Sequence, residues 1–362
     1  MKKGTPAKSA KHPGQRSGRI KDPEPVENLD DQQRLLQVFV TAFNDTISSD
    51  DFPSVIQQVK RLLFEREFEA AFAREEYLDA YAARWSPTRA LCYAAVLGSL
   101  STYLADISLP ASSETLGTSA ARIEEPGRLG GVDREAGKTV KMLSVGGGAA
   151  ELVAFSSFLR TQKDTCGLLT LVDSGPWELV VSKLQDTLIN PPPLSRYASA
   201  AARQSNIAFL APSRLSSMCV KADILALDVI QLSEWLGSRP CLVTVLFTLN
   251  ELYTSGGIGR TTAFLAALTA AVVPGTLLLV VDSPGSYSET TVGRESKQYP
   301  MHWLLDHTLL KTGQQDAAAC GWEKLESQDS TWFRLPKSLN YPIPLEDMRY
   351  QMHLYRAMKL RE

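Results

Sequence analysis

Three glycines, a few strand-end carboxylates and one Asn-Glu pair carry the chemistry available to this sequence. Lys141-Met142-Leu143-Ser144-Val145 runs into Gly146, Gly147 and Gly148 and then directly into Ala149-Ala150-Glu151-Leu152, an apolar strand pattern feeding a helix through glycine. Glycine lets the backbone approach a ligand, and the free amides at a helix start favour an anionic or hydrogen-bonding group, so this is a nucleotide-binding turn. Leu171-Val172-Asp173 ends a second apolar run with a carboxylate able to accept hydrogen bonds from both ribose hydroxyls. Its plainer alternative is an N-cap for the helix that Pro176 opens. Asp223, after Lys221-Ala222, can read an adenine edge, Trp177 can cover the adenine, and Thr248 completes the cofactor-binding set. In Val245–Thr254 polar groups directly follow a strand, and Asn250, Glu251 and Tyr253 are the catalytic candidates there.

Residues 139–362 alternate short apolar runs with helices, the pattern of a mostly parallel sheet covered on both faces. Strands are expected at Val140–Val145, Leu168–Val172, near Met218–Lys221, at Cys241–Phe247 and at Thr276–Val281, with helices at Gly257–Val272 and Tyr299–Leu310. Gly321–Glu326 and Ser330–Leu335, flanking Ser327-Gln328-Asp329, read as a closing antiparallel hairpin. A helix is expected from about Glu346, carrying Arg349, Arg356 and Lys359 among Tyr350, His353 and Tyr355. Upstream, helical spacing of Leu35, Phe39, Phe43 and Ile47, then Val55, Val59 and Leu62, then Phe64, Phe68 and Phe72 predicts a helical module over 28–109. That module ends in an apolar helix capped by Ser86, with Pro87 at its first position, and running to about Ile107. Residues 1–27 read as a disordered basic tail and 110–138, rich in Ser, Gly, Pro and charge, as a mobile loop.

Five parallel strands and a terminal hairpin is the plan of the class I, Rossmann-like methyltransferases: a mostly parallel seven-stranded α/β sheet with an antiparallel C-terminal pair. A dinucleotide fingerprint fits the turn poorly. Its last glycine would fall on Glu151, and in the GxGxG reading Ala150 replaces the third glycine. The chain resembles a fungal and plant family of S-adenosylmethionine-dependent methyltransferases that includes the uridine-N3 methyltransferase of 25S ribosomal RNA. The resemblance lies in Leu143–Gly148, in Phe247-Thr248-Leu249-Asn250-Glu251-Leu252-Tyr253, in Val280–Ser286 and in Leu345–Gln351, and it spans roughly residues 30–362. It implies S-adenosylmethionine as cofactor, ribosomal RNA or a pre-ribosomal particle as partner, and a nuclear or nucleolar location with a cytoplasmic one left open. For a uracil acceptor Glu251 is then the candidate general base, Asn250 orients the base edge and Tyr253 stacks on the flipped base. Acceptors of another class, a protein or small molecule, stay open, as does an inactive ribosome-assembly factor.

Net charge is −2, but residues 1–21 hold seven Lys/Arg and no acid, leaving 31 basic and 40 acidic residues elsewhere and a body at −9. Such a tail suits a polyanion or nuclear import, and it has neither the apolar run of a signal peptide nor the amphipathic spacing of a presequence. Cys92, Cys166, Cys219, Cys241 and Cys320 lack CxxC spacing and four histidines are scattered, so reduced thiols, no metal, no membrane, no DNA and a monomer are expected. Asn190-Pro191-Pro192-Pro193 resembles a base-binding box but follows the wrong strand, where prolines stop a helix.

Overall fold

The computed structural model describes residues 29–110, 137–285, 287–292, 295–311 and 320–360. The expected tail over 1–27 and nearly all of the expected loop over 110–138 lie outside the described residues. The N-terminal helices include α1 (Leu29–Ala42), α2 (Phe52–Phe64), α3 (Glu75–Arg84) and α4 (Ser86–Ser99). Their apolar spacing does what it predicts: α1 buries Leu35, Leu36, Val38 and Phe39, and α2 buries Val55, Val59 and Leu62. Three local expectations fail. Phe64, Phe68 and Phe72 do not share one helix: α2 ends at Phe64, which is exposed, and only the single turn Phe68–Ala71 follows. Trp85, not Ser86, occupies the N-cap of α4, where no side chain caps the helix, and Ser86 is buried within its first turn. The helix also stops at Ser99 and resumes as Ser101–Asp106, with the Ser99 hydroxyl donating to the Val96 carbonyl at 2.7 Å.

Seven strands form the main sheet: β1 (Lys138–Val145), β2 (Thr165–Asp173), β3 (Leu215–Lys221), β4 (Leu242–Leu246), β5 (Leu277–Asp282), β6 (Cys320–Phe333) and β7 (Met348–Lys359). Their spatial order is β3-β2-β1-β4-β5-β7-β6, parallel from β3 to β5 and antiparallel in β7 and β6, with Leu109–Pro110 paired beside β1. Helices α5 (Ala149–Thr161), α6 (Glu178–Ile189) and α7 (Gly257–Ala271) complete the α/β layers. Alternation splits each strand between two cores. Val140, Met142, Leu169 and Leu171 face the side shared with α1 and α4, while Leu143, Val145, Val243 and Val245 face α7. The chain order reverses between β1 and β4, so the carboxyl ends of β1, β2, β4 and β5 open a crevice at the switch point.

Two C-terminal expectations are corrected. Ser327-Gln328-Asp329 is not a turn: Cys320–Phe333 is one strand, with a register shift in the β6–β7 ladder near Gln328. The turn-forming residues are tied sideways instead, Ser327 to His353 Nδ1 at 3.0 Å and Gln328 Oε1 to the Thr331 hydroxyl at 2.9 Å. The helix expected from Glu346 is strand β7. Tyr350, Met352 and Leu354 point to one core and Tyr355 and Ala357 to the other, a period of two hidden by buried polar residues between them. Those polar groups are paired, since Gln351 Nε2 donates to the Ser283 carbonyl at 2.7 Å and Gln351 Oε1 lies 3.1 Å from His353 Nε2. Burial pushes the His353 imidazole down to about 4, so it is neutral in this ladder.

Candidate active site

The glycine turn is built by steric exclusion. Gly146 has φ +68°, and a Cβ there would fall 2.2 Å from Thr248 Oγ1. Gly148 precedes α5, and a Cβ on it would lie 2.9 Å from the Trp177 ring. Glu151, which occupies the position of a third glycine in the dinucleotide pattern, is buried and accepts the Gly148 N–H at 2.8 Å. A carboxylate at the third helical position thus spans the turn in the manner of a capping box. Burial raises its carboxyl to about 7, against the Gly148 amide and the Arg89 guanidinium.

Asp173 ends β2 and accepts the Gly175 N–H at 2.7 Å. Helix α6 starts at Glu178 with Trp177 at its N-cap and no side-chain cap, so Asp173 is not its cap. Burial pushes the Asp173 carboxyl up to about 6, opposed by the Gly175 amide and by the Trp177 indole that faces it. Asp223 stands at the end of β3, half exposed, its Oδ1 accepting the Leu225 N–H at 2.9 Å and its Oδ2 paired with Arg260 at 2.8 Å. An outer cavity of about 560 Å³ is lined by Asp173, Asp223, Ile224, Leu225, Thr248 and Glu251. Trp177 does not line it. The indole is buried against Gly148 at a smaller inner cavity of about 40 Å³, with Tyr81, Arg89, Glu151 and Glu251, so it does not cover the outer cavity as expected of an adenine lid.

The chain leaves β4 through Phe247, a non-glycine residue at φ +56° whose N–H donates to the Val281 carbonyl at 2.7 Å. Such a conformation costs on the order of 1 kcal/mol or more and is held only where its surroundings over-determine it. It swings Thr248–Glu251 across the strand ends. Thr248 is buried over Gly146 and donates to the Leu246 carbonyl at 3.2 Å. Asp282, the last residue of β5, accepts the Asn250 N–H at 3.1 Å and the Ser283 N–H at 2.7 Å. Glu251 lines both cavities. Burial pushes its carboxyl up to about 8, opposed by Arg89 and reinforced by Asp173 and Asp282. Tyr253 is placed elsewhere: it is 3% exposed in the core beneath α7, with its ring among Met301 and Leu305 rather than at either cavity, so it is not positioned to stack on a base.

Residues 39–356 match the model of a family described as "Putative SAM-dependent methyltransferase". The chain belongs to this family. A curated relative, the 25S rRNA (uridine(2843)-N(3))-methyltransferase of Saccharomyces cerevisiae, is 30% identical over 351 residues, covering 89% of this chain and 85% of the yeast protein. Among solved structures, the 16S rRNA (adenine(1408)-N(1))-methyltransferase from Catenulisporales acidiphilia is 16% identical over 61% of this chain and 88% of its own, with a TM-score of 0.33. An O-methyltransferase family protein from Burkholderia thailandensis is 11% identical over 87% and 74%, with a TM-score of 0.34. The protein is an S-adenosylmethionine-dependent methyltransferase of class I topology.

The residues fit that cofactor. Glu151, Asp173, Glu251 and Asp282 are carboxylates whose proton affinities burial has raised, and the Arg89 guanidinium opposes that rise at Glu151, Glu251 and Asp282. A site so rich in destabilised negative charge suits a ligand with a sulfonium and an ammonium, and Arg89 suits its carboxylate. Arg89 lies on α4, bonds the Tyr81 hydroxyl and stands over the Phe247 ring at 5.0 Å from its centroid. Sequence reasoning missed it, although a lone arginine in the apolar run Ser86–Leu97 was a usable signal. Glu151 and Asp282 were also missed; the Gly148-to-Glu151 spacing advertised the first, and the second closes the apolar run Leu277–Val281 with a carboxylate, the same local signal that marks Asp173. The described residues contain no cluster of His, Cys, Asp or Glu able to hold a metal, and no helix long and apolar enough to cross a membrane.

Proposed function

We propose that this enzyme methylates N3 of a uridine in large-subunit ribosomal RNA, and the observation that carries the reading is Glu251. Its carboxylate stands at the junction of the two cavities, at the carboxyl end of β4, with its pKa raised to about 8. A base with that affinity is matched to a weakly acidic imide proton near neutral pH, where an ordinary glutamate is too weak. The yeast relative, named for transfer to uridine N3, supports the same acceptor.

When bound, S-adenosylmethionine supplies a methyl group activated by a sulfonium. Asp173 holds the ribose hydroxyls, Ile224 and Leu225 offer apolar walls to the adenine, and Asp223 meets its edge at the rim. Arg89 takes the amino-acid carboxylate, while Glu151 fixes the turn of Gly146, Gly147 and Gly148 beside it. Glu251 would accept the proton from uridine N3, leaving that nitrogen's electron pair free to act as the nucleophile. Asn250 lines neither cavity; its backbone, anchored by Asp282, sets the turn that presents Glu251. The basic segment over residues 1–21 supplies attraction to RNA that a body at −9 lacks, and it directs the protein to the nucleolus.

Mass mapping of large-subunit ribosomal RNA nucleosides from cells with and without the protein tests the reading. One 3-methyluridine should vanish without the protein and return with the wild type but not with Glu251→Gln. Loss of a different methylated nucleoside, or of none, would reject it.

A further inference from the structure

The strand pairing at the C-terminus brings together residues that neither the cofactor site nor the core uses. Trp332 is 45% exposed near the end of β6, directly across the ladder from Arg349 on β7. Two guanidinium groups lie on its ring, Arg334 at 4.7 Å and Arg349 at 5.7 Å from the centroid. Both arginines are exposed, Arg334 pairing with Asp347 at 3.0 Å and Arg349 donating to the Ser330 hydroxyl at 2.8 Å. An exposed tryptophan flanked by two guanidiniums buries no core; Arg334 is matched by Asp347, while Arg349 donates to a neutral hydroxyl and keeps its charge for a phosphate.

Position gives this cluster meaning. Gln351 of β7 pairs with Asp282, the residue that holds the Asn250-Glu251 loop, and Arg349 stands two residues further along β7. The Arg349–Trp332 pair therefore projects past the same carboxyl edge of the sheet that carries the active site. Two strand spacings and two residues of rise separate Trp332 from Asp282, roughly 12 Å in all. Stacked nucleotides rise about 3.4 Å each, so this is a reach of about three or four nucleotides.

We infer that Trp332, Arg334 and Arg349 form a docking platform for the single-stranded RNA flanking the target nucleotide. The indole stacks on an unpaired base and the guanidiniums contact the adjoining phosphates, the combination that binds single strands without sequence readout. The inference rests on the reading of the protein as an RNA methyltransferase and adds where the RNA lies.

The test uses the full chain and a fluorescein-labelled 12-mer of oligouridylate, read by anisotropy across a salt titration. Trp332→Ala should weaken binding about tenfold and Trp332→Phe should largely retain it, as expected for lost and kept stacking. Arg349→Ala should reduce the salt slope by about 0.7, the contribution of one single-strand phosphate. On ribosomal RNA, Trp332→Ala should raise KM while leaving kcat and the calorimetric affinity for S-adenosylmethionine unchanged. Equal 12-mer affinity and salt slope in wild type and variants overturns the platform, even if the variants lose association with pre-ribosomal particles, which would put a protein on this surface. A wild-type enzyme that methylates no ribosomal RNA overturns the proposed function instead, and the 12-mer titration still reads the platform separately.

Discussion

The Asp282 carboxylate accepts the backbone N–H of Asn250 at 3.1 Å, so the last residue of β5 fixes the first turn after β4. The same carboxylate takes the Ser283 N–H at 2.7 Å, and burial raises its pKa to about 6. Asp282→Asn keeps the shape but offers one acceptor oxygen where two were used. Losing one bond to a charged group costs about 1.5–3 kcal/mol. That cost should appear in kcat, as a fall of about tenfold to a hundredfold from a displaced Glu251, with the affinity for S-adenosylmethionine changed only a few-fold. Steady-state kinetics paired with calorimetry checks the split; a variant with wild-type kcat would remove Asp282 from the positioning of the loop.

Asp173→Ala should remove cofactor binding and leave the fold. The carboxylate caps only the local Gly175 amide and no helix, so little of the structure depends on it. Two charged hydrogen bonds to a ribose at about 1.5–3 kcal/mol each correspond to at least a hundredfold loss of affinity. Calorimetry at fixed pH with thermal melting as a fold control decides it; unchanged affinity rejects the ribose assignment.

What the sequence revealed and what it hid follow from the range of the interactions. The turn at Gly146–Gly148, Asp173 and the Asn250-Glu251 loop are legible because each is a local pattern at the end of a strand, and the parallel strands are legible because both faces are apolar. Strand β7 was hidden because Gln351 and His353 are buried in it, satisfied by Ser283 and Ser327 from distant segments. The same holds for Arg89, whose partners come from α3 (Tyr81) and from the segment after β4 (Phe247 and Glu251). Tyr253 misled in the opposite direction: its place beside Glu251 in the chain suggests the site, while the irregular turn over Leu252–Gly256 carries it into the core.

Arg89→Gln should weaken S-adenosylmethionine and S-adenosylhomocysteine by a similar factor, because the amino-acid carboxylate is common to both. A guanidinium–carboxylate contact in a buried site is directional, and Arg89→Lys should restore only part of it. Titrating both ligands and adenosine alone by calorimetry separates the outcomes. Adenosine lacks the carboxylate, so its affinity should be insensitive to the substitution; an equal loss for adenosine would mean that Arg89 acts by holding the helices over the cavity.

Cofactor binding should release protons. Glu251 and Glu151, raised by burial to about 8 and about 7, are substantially protonated in the free enzyme near neutral pH. A bound cation favours their ionised forms, so affinity should rise with pH between about 6 and 8, and the binding enthalpy should depend on the ionisation enthalpy of the buffer. Stability of the free enzyme runs the other way. A carboxyl whose folded pKa lies above its unfolded value near 4.3 contributes fully below that pH and loses the contribution as pH rises through the folded pKa. The cofactor-free protein should therefore melt lower at pH 8 than at pH 6, and Glu251→Gln should narrow the gap by about 5 °C, the shift that roughly 2 kcal/mol produces in a domain of a few hundred residues. The same variant should lose the rising limb of the kcat/KM profile near pH 8 and at least about a hundredfold in rate. A pH–rate limb that survives in Glu251→Gln would assign the proton transfer to another group.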